Sequence, residues 1–290
     1  MHSPPNRPLA AALWMIGSIV GFSAVAVSGR ALGRDLDTYE IMFWRSAVGV
    51  VAVSAAALAT GRWGEVSARR LDLHLMRNIV HFSGQNLWLL ALGLIPLAQL
   101  FALELSYPIM VALAAPLLLG ERLTRARALS AALGVAGILI VARPFGGAGL
   151  SLGLLAALGS AVSFAGAAIF TKRMTRSMTI LCILFWLTVM QTGLGLACAA
   201  WDGSVALPRG GAILWVLVIG LAGLGAHLSL TAALSLAPAS VVTPVDFLRL
   251  PLIALVGVAF YDEPLDLWVL IGGAIIVAAN WLNIRSETRC

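Results

Sequence analysis

Apolar residues fill this chain in long, nearly unbroken runs, and short polar stretches that carry most of the charges separate them. A run of about twenty apolar residues lets an α-helix cross a hydrocarbon core of ~30 Å. Continuous runs argue against a transmembrane β-barrel, whose strands alternate apolar and polar residues. The pattern therefore predicts an all-α integral membrane protein with ten transmembrane helices, at residues 8–28, 38–59, 72–92, 97–118, 126–142, 150–171, 178–199, 211–235, 239–260 and 266–284.

The sequence also repeats itself at a constant offset of 142 residues. The clearest pairs related by this offset are Pro96 and Pro238, Glu104 and Asp246, and Glu121 and Glu263. The predicted units are a first five-helix repeat at 1–145 and a second at 146–290. Because five is an odd number, the second repeat must enter the membrane in the opposite orientation. Inverted repeats are typical of secondary transporters, whose substrate site lies near the midplane between the two units.

Composition and charge narrow the class of protein further. Hydrophobic residues make up 60% of the chain and charged residues only 11%, which excludes a soluble domain. The formal net charge of +6 sits in loops beside the spans, so it indicates topology rather than nucleic-acid binding. With the N-terminus in the cytoplasm, inside segments carry 13 Arg and Lys residues and outside loops carry 4, which predicts two cytoplasmic termini. The three cysteines have no metal-binding spacing, and we expect neither a metal nor a cofactor.

Two carboxylates and two guanidiniums lie inside predicted spans, where an isolated charge costs about 2.5–3.5 kcal/mol on insertion scales. Glu104 and Asp246 are repeat-equivalent and could bind a substrate amine or carry a coupling proton. Arg45 and Arg249 could bind a substrate carboxylate through two hydrogen bonds. The alternative is a structural ion pair, and it is strongest for Asp246, because Arg249 follows three residues later on the same helix face.

The third span is the most polar of the first repeat. His81, Gln85 and Trp88 recur at i, i+4 and i+7 and so share one helix face, which predicts either the lining of a cavity or hydrogen bonds between helices. Trp44, inside the second span, is a further candidate to contact a substrate ring. His227, in the eighth span, is a candidate either for titration near neutral pH or for hydrogen-bond donation.

Two prolines lie inside spans. Pro108 in the fourth and Pro251 in the ninth would each remove a backbone hydrogen bond and kink the helix. Such kinks suit gating, or they are static curvature.

Several of these residues carry a resemblance to a known family. They are Arg45 after EIMFW, Pro108 with GERLT at 120–124, Gly134 and Gly137, APASVVTP at 237–244, Pro251, DEPL at 262–265, and Gly272 with Gly273. On these motifs the chain resembles the drug/metabolite transporter superfamily, in its EamA-like branch of ten-helix carriers. One departure is the sequence YDE before Pro264, where the family usually has Gly-Glu.

The resemblance implies a central cavity lined mainly by the third, fourth, eighth and ninth helices with the first and sixth. It implies export or exchange of amino acids and related metabolites, and the family includes an aromatic-amino-acid exporter type as well as uptake carriers for vitamins and S-adenosylmethionine.

The function predicted is export of neutral or aromatic amino acids across the cell inner membrane by alternating access. The amine would meet Glu104 or Asp246, the carboxylate Arg249 or Arg45, and the side chain Trp88 or Trp44. The alternative is an uptake carrier for a larger aromatic metabolite, such as a vitamin or S-adenosylmethionine. The expected partners are this small molecule, the lipid bilayer and, for a coupled carrier, protons. An enzyme is disfavoured because no catalytic motif is present, and a channel because one chain supplies two pseudo-symmetric halves.

Overall fold

A computed structural model of the protein describes residues 8–107, 109–111, 125–143, 150–174, 177–236, 245 and 248–287. The described residues form ten α-helices, and most begin within two residues of a predicted span. In chain order they are α1 (Pro8–Leu32), α2 (Thr38–Ala59), α3 (Leu71–Leu94), α4 (Leu97–Glu104), α5 (Arg125–Ala142), α6 (Leu152–Met174), α7 (Ile180–Ala199), α8 (Gly211–Leu236), α9 (Arg249–Tyr261) and α10 (Leu267–Glu287).

The helices form a bundle whose outer surface is apolar. Large side chains such as Leu13, Val51, Leu255 and Phe260 are exposed on it, as expected where lipid replaces water. Five helices are long and apolar enough to span a membrane by length and composition, and four shorter ones are apolar. The remaining helix, α3, carries buried polar side chains along much of its length.

Each helix of the first repeat has a counterpart five helices later in the chain, so that α1 corresponds to α6 and α5 to α10. Exchanging every helix for its counterpart leaves the pattern of helix pairs unchanged. α1 packs on α8 and α3 packs on α6, and these two pairs are equivalent under the exchange. α2 packs on its own counterpart α7, α4 on α9, and α5 on α10. Counterparts run antiparallel: Gly49 of α2 faces Thr188 of α7, whereas Phe43, nearer the start of α2, faces Gly195, nearer the end of α7. The two repeats are therefore inverted with respect to each other.

Glycines allow some of these pairs to approach closely. A Cβ atom added to Gly21 of α1 would lie 2.8 Å from the Cβ of Ala226 in α8, and one added to Gly137 of α5 would lie 2.9 Å from the carbonyl oxygen of Gly272 in α10. Small residues at such contacts are how transmembrane helices gain van der Waals packing, since lipid removes the hydrophobic drive between them.

The start of α2 shows how local sequence sets a helix boundary. The Asp37 carboxylate accepts hydrogen bonds from the backbone N–H groups of Tyr39 (2.7 Å) and Glu40 (2.8 Å). Glu40 in turn accepts from the N–H of Asp37 (2.9 Å), which completes a capping box. Its other carboxylate oxygen accepts from the N–H of Ala206 (2.6 Å), so the cap also holds the loop between α7 and α8.

Polar contacts between the two repeats hold one end of the bundle together. Arg30, in the last turn of α1, forms an ion pair with Glu263, which follows α9. The same guanidinium donates to the carbonyl oxygens of Leu92 (2.7 Å) and Ile95 (2.9 Å), and Glu263 accepts from the N–H of Leu97 (2.8 Å). Glu263 is therefore engaged in tertiary contacts despite the unusual YDE sequence around it.

Candidate functional site

A polar cluster lies inside the bundle, where residues from both repeats meet. Its members, referred to here as the central cluster, are Arg45 of α2, His81, Gln85 and Trp88 of α3, Glu104 of α4, His227 of α8 and Arg249 of α9.

A buried ion pair joins α4 to α9 within the central cluster. An oxygen of Glu104 lies 3.2 Å from a guanidinium nitrogen of Arg249, and the side chains are 10% and 5% exposed. Glu104 is the last residue of α4 and Arg249 is the first residue of α9, so each lies at a helix boundary inside the bundle. Interrupted helices of this kind commonly supply polar groups to the sites of secondary transporters.

Trp88 also binds Glu104. Its indole N–H donates to the second carboxylate oxygen at 2.8 Å, and its ring packs edge-on against Phe101 at 5.9 Å. A buried carboxylate needs several donors to offset the loss of water. In this structure a guanidinium and an indole supply them, so the one acid of the central cluster is already bound to two donors.

Arg45 connects α2 to the polar face of α3. Its guanidinium donates to the side-chain oxygen of Gln85. Gly223 of α8 lies beside it, and a Cβ atom added there would be 3.4 Å from the Nη2 atom of Arg45. Arg45, Gln85 and His227 are all half-buried although they lie within the bundle, which indicates that they border an internal space.

Aromatic rings form the apolar wall of this site. Phe22 of α1 contacts the ring of His227 at 5.2 Å, Phe164 of α6 contacts His81 at 5.7 Å, and the two imidazoles lie 6.0 Å apart. The guanidinium of Arg249 lies 5.1 Å from the ring of Phe22 and 5.2 Å from that of Phe101, within the range of a cation–π contact. Planar groups therefore surround the space from α1, α3, α6 and α8.

The charges of the central cluster do not balance. It holds two guanidiniums, Arg45 and Arg249, and Glu104 is its one carboxylate among the described residues. The excess is positive, so the site as described favours hydrogen-bond acceptors over cations. In the described part of the chain, no group of three His, Cys, Asp or Glu side chains comes close enough to hold a metal ion.

The structure brings together most of the residues that the sequence predicted, but not all. His81, Gln85, Trp88, Glu104, Arg45 and Arg249 are in the central cluster. Trp44 is not: its indole N–H donates to the carbonyl oxygen of Ala206 (2.9 Å), in the loop between α7 and α8. Asp246 and Pro108 lie outside the described residues, and Arg249 pairs with Glu104 of the other repeat.

The prediction that Pro251 kinks the interior of the ninth span is wrong for the helix that the structure describes. Pro251 is the third residue of α9, in its first turn. Backbone N–H groups in a first turn have no partner within the helix, so a proline there removes no hydrogen bond.

Arg77 was one of the 13 basic residues assigned to inside segments, although it falls within the predicted third span, and the structure places it in α3. It lies two turns into α3, only 6% exposed, and donates to the hydroxyl of Thr171 in α6 (3.3 Å) and to Asn78 (3.3 Å). Its position four residues before His81, on the same helix face, is the signal that could have placed it. The rings of Phe22, Phe101 and Phe164 were also missed, because a phenylalanine in an apolar span carries no sequence mark of facing inward.

Comparison with known proteins agrees with this architecture. The profile of the EamA-like transporter family matches residues 9–143 and again residues 151–285, and the two matches start 142 residues apart (151 minus 9).

Curated relatives cover almost the whole chain. A riboflavin transporter of Rhizobium johnstonii is 30% identical, over 98% of this chain and 94% of the relative. A riboflavin transporter of Vibrio cholerae is 26% identical over 98% and 96%, and an S-adenosylmethionine uptake transporter of Rickettsia felis is 23% identical over 95% and 92%.

A solved crystal structure shares the fold, with a TM-score of 0.67 and 21% identity over 96% of this chain and 98% of that chain. With a family profile that covers both repeats and relatives that cover nearly its full length, the chain belongs to the EamA-like transporter family and is a multi-pass membrane transporter.

Proposed function

We propose that this protein is a carrier that takes up an uncharged, planar heteroaromatic metabolite of the flavin type. The observation that carries the proposal is that Glu104 is bound by Arg249 and Trp88 inside a site walled by aromatic rings. The metabolite would stack among Phe22, Phe164 and the imidazoles, and its carbonyl oxygens would accept hydrogen bonds from Arg45.

Amino-acid export, the first prediction from the sequence, receives less support. It requires Glu104 to bind the amine and Arg249 or Arg45 to bind the carboxylate, yet Glu104 and Arg249 bind each other. A zwitterion would have to break this pair and replace the contact of each partner, whereas an uncharged ring leaves the pair intact.

The names of the relatives support the uptake alternative and offer two substrates, riboflavin and S-adenosylmethionine. The two substrates differ in their charge. S-adenosylmethionine carries a positive sulfonium, and the carboxylate that the described part of the central cluster offers, Glu104, already contacts Arg249 and Trp88. Riboflavin is planar and uncharged near neutral pH, and its ring system combines a large aromatic face with carbonyl acceptors, which suits guanidinium donors and stacked rings.

The setting of this transport is the cell inner membrane, with both termini in the cytoplasm. The inverted repeats meet at the central cluster, and rocking one repeat against the other would expose that cluster to each side in turn. The ion pair between Arg30 and Glu263 would then close one end of the bundle.

Uptake into liposomes that contain the purified protein tests the proposal. Radiolabelled riboflavin should accumulate saturably inside washed vesicles as its external concentration rises. Unlabelled flavins should compete, whereas tryptophan and S-adenosylmethionine should not. Saturable uptake of tryptophan or S-adenosylmethionine without any movement of riboflavin would overturn the proposal.

A further inference from the structure

The fourth span is interrupted directly after Glu104, the acid of the central cluster. α4 ends at Glu104, Leu105 and Ser106 form a turn, and residues 107 and 109–111 are helical again. Glu104, Leu105 and Ser106 are all buried. An interruption inside a membrane bundle takes backbone carbonyl groups away from their helical donors, so other groups of the protein must bond to them.

The backbone hydrogen bonds change their spacing at this turn. The N–H of Ser106 donates to the carbonyl oxygen of Leu103 (3.1 Å), and the N–H of Ile109 donates to that of Ser106 (3.0 Å). Both bonds reach back three residues, whereas those of an α-helix reach back four. In a continuous helix the N–H of Ile109 would donate to the carbonyl of Leu105. The interruption therefore separates the Leu105 carbonyl from its helical donor.

The sequence contains two causes of the interruption. In a continuous helix the N–H of residue 108 would donate to the carbonyl of Glu104, but residue 108 is proline and has no N–H. The hydroxyl of Ser106 also donates to the carbonyl oxygen of Leu103 (2.6 Å) and so competes with the backbone. Neither of these features supplies a donor for the Leu105 carbonyl.

Asn280 of α10 supplies that donor. Its side-chain nitrogen donates to the carbonyl oxygen of Leu105 at 2.7 Å, and the residue is only 1% exposed. Two turns earlier on α10, a Cβ atom added to Gly273 would lie 2.9 Å from Leu250 of α9 and 3.6 Å from Ala102 of α4. α10 therefore packs on both helices that carry the buried ion pair, and its asparagine bonds to the residue after Glu104.

We propose that Asn280 is a positioning residue, which holds the fourth span interrupted and thereby keeps Glu104 in contact with Arg249 and Trp88. Side chains that insert into the helical hydrogen-bond ladder are an established cause of breaks in helices. Without the amide of Asn280 the Leu105 carbonyl would be buried and unbonded, which favours the continuous helix in which Ile109 donates to it. Glu104 would then turn with the helix. The expected effect on transport rests on the proposed flavin uptake, whereas the positioning of Glu104 does not.

Thermal unfolding of four purified full-length proteins tests the assignment. They are the wild type, Asn280→Leu, Glu104→Gln and the double variant. Leucine resembles asparagine in size but has no donor. If Asn280 acts through Glu104, both single changes weaken the same ion pair, so the double variant should lose at least ~2 °C less than the sum of the two single losses. Independent contributions would add.

Asn86 of α3 provides a matched control. It is also buried, and its side-chain nitrogen also donates to a carbonyl oxygen, but that oxygen belongs to Phe82 of the same helix (2.9 Å). The side-chain oxygens of Asn86 and Asn280 both have no partner among the described residues. The melting losses of Asn86→Leu and Glu104→Gln should therefore add.

Uptake of radiolabelled riboflavin into liposomes gives a second measurement. Asn280→Leu should lower the initial rate about ten-fold, a factor typical of one lost buried hydrogen bond, and Asn86→Leu should keep a rate near that of the wild type. If Asn280→Leu does not fold, Asn280→Ala removes the same amide without filling its place and enters both measurements instead.

The possible failures are distinct. Additive melting losses for Asn280 and Glu104 would overturn this inference and leave flavin uptake standing, and so would an equal loss of rate in the Asn86 variant. If the wild type moves no riboflavin, the proposed function fails, and the melting temperatures alone decide whether Asn280 positions Glu104.

Discussion

Glu104 and Arg249 are not repeat counterparts of each other, yet they are in direct contact, with a carboxylate oxygen 3.2 Å from a guanidinium nitrogen. Glu104 ends α4 in the first repeat, and Arg249 begins α9 in the second. The pair therefore joins the two repeats inside the bundle. If the proposed alternating access rocks one repeat against the other, the repeats must pivot about this contact or break it.

Replacing the acid should affect both transport and stability. Glu104→Gln removes the negative charge that faces Arg249 and weakens the hydrogen bond from Trp88. Loss of one partner of a buried pair typically costs about 3–5 kcal/mol, so the melting temperature of the purified protein should fall. Transport should decrease strongly in the same variant.

The double variant Glu104→Gln with Arg249→Gln separates the two effects. Without the buried positive charge, much of the lost stability should return, while transport should stay low because the joint between the repeats is altered. A melting temperature of Glu104→Gln equal to that of the wild type would show that this pair contributes nothing to the fold.

This pair also shows where inference from the sequence succeeds and where it stops. Hydropathy located both charges inside spans, because a carboxylate or guanidinium in an apolar run is conspicuous. Spacing along the chain offered only a local counter-ion for Arg249, Asp246, which lies outside the described residues, and it did not indicate the contact with Glu104 of the other repeat. Which helices pack together is decided by tertiary contacts between distant segments, and these leave no mark in the spacing of residues along one helix.

Other parts of the fold were also either visible in the sequence or determined by tertiary contacts. The spans were predictable because membrane helices have a fixed minimum length, and the repeat was visible at one constant offset. The hydrogen bond from Trp44 to Ala206, outside the central cluster, was not predictable, because an interior position in a span does not show which way the ring faces. The aromatic wall of Phe22, Phe101 and Phe164 became apparent only with the helix packing.

Arg45 should be required for substrate binding. Arg45→Gln removes the guanidinium that donates to Gln85 in the central cluster, so riboflavin affinity should fall about ten-fold or more, as expected for loss of a charge-assisted hydrogen bond. Arg34→Gln is the matched control, because Arg34 is exposed in the turn after α1. Fluorescence titration measures both, and equal affinity in the two variants would remove Arg45 from the site.

The contact at the end of the bundle should be sensitive to a single methyl group. Gly257 of α9 faces the carboxylate of Glu263, and a side chain at 257 would overlap it. Gly257→Ala should push Glu263 away from Arg30 and from the N–H of Leu97, with a loss of about 1–3 kcal/mol. The melting temperature of the purified protein reports this loss.

A glycine in open space provides the comparison. Gly193 of α7 has no atom within 4 Å of an added Cβ. Gly193→Ala should be neutral or slightly stabilising, because alanine favours a helix over glycine by about 1 kcal/mol. If both alanine variants melt at the wild-type temperature, Glu263 can relax without loss and the ion pair does not hold this end of the bundle.

The orientation of the chain in the membrane gives the last prediction. Burial of Arg77 in α3 removes it from the inside segments, which reduces the basic count there from 13 to 12, against 4 outside. The asymmetry still predicts cytoplasmic termini.

Labelling of two exposed loop positions tests this orientation. Ser204, in the loop between α7 and α8, should face outward, and Ala68, before α3, should face the cytoplasm. With Cys182, Cys198 and Cys290 replaced by alanine, a membrane-impermeant maleimide added to intact cells should label Ser204→Cys and spare Ala68→Cys until the membrane is permeabilised. Labelling in the reverse order would contradict the predicted topology.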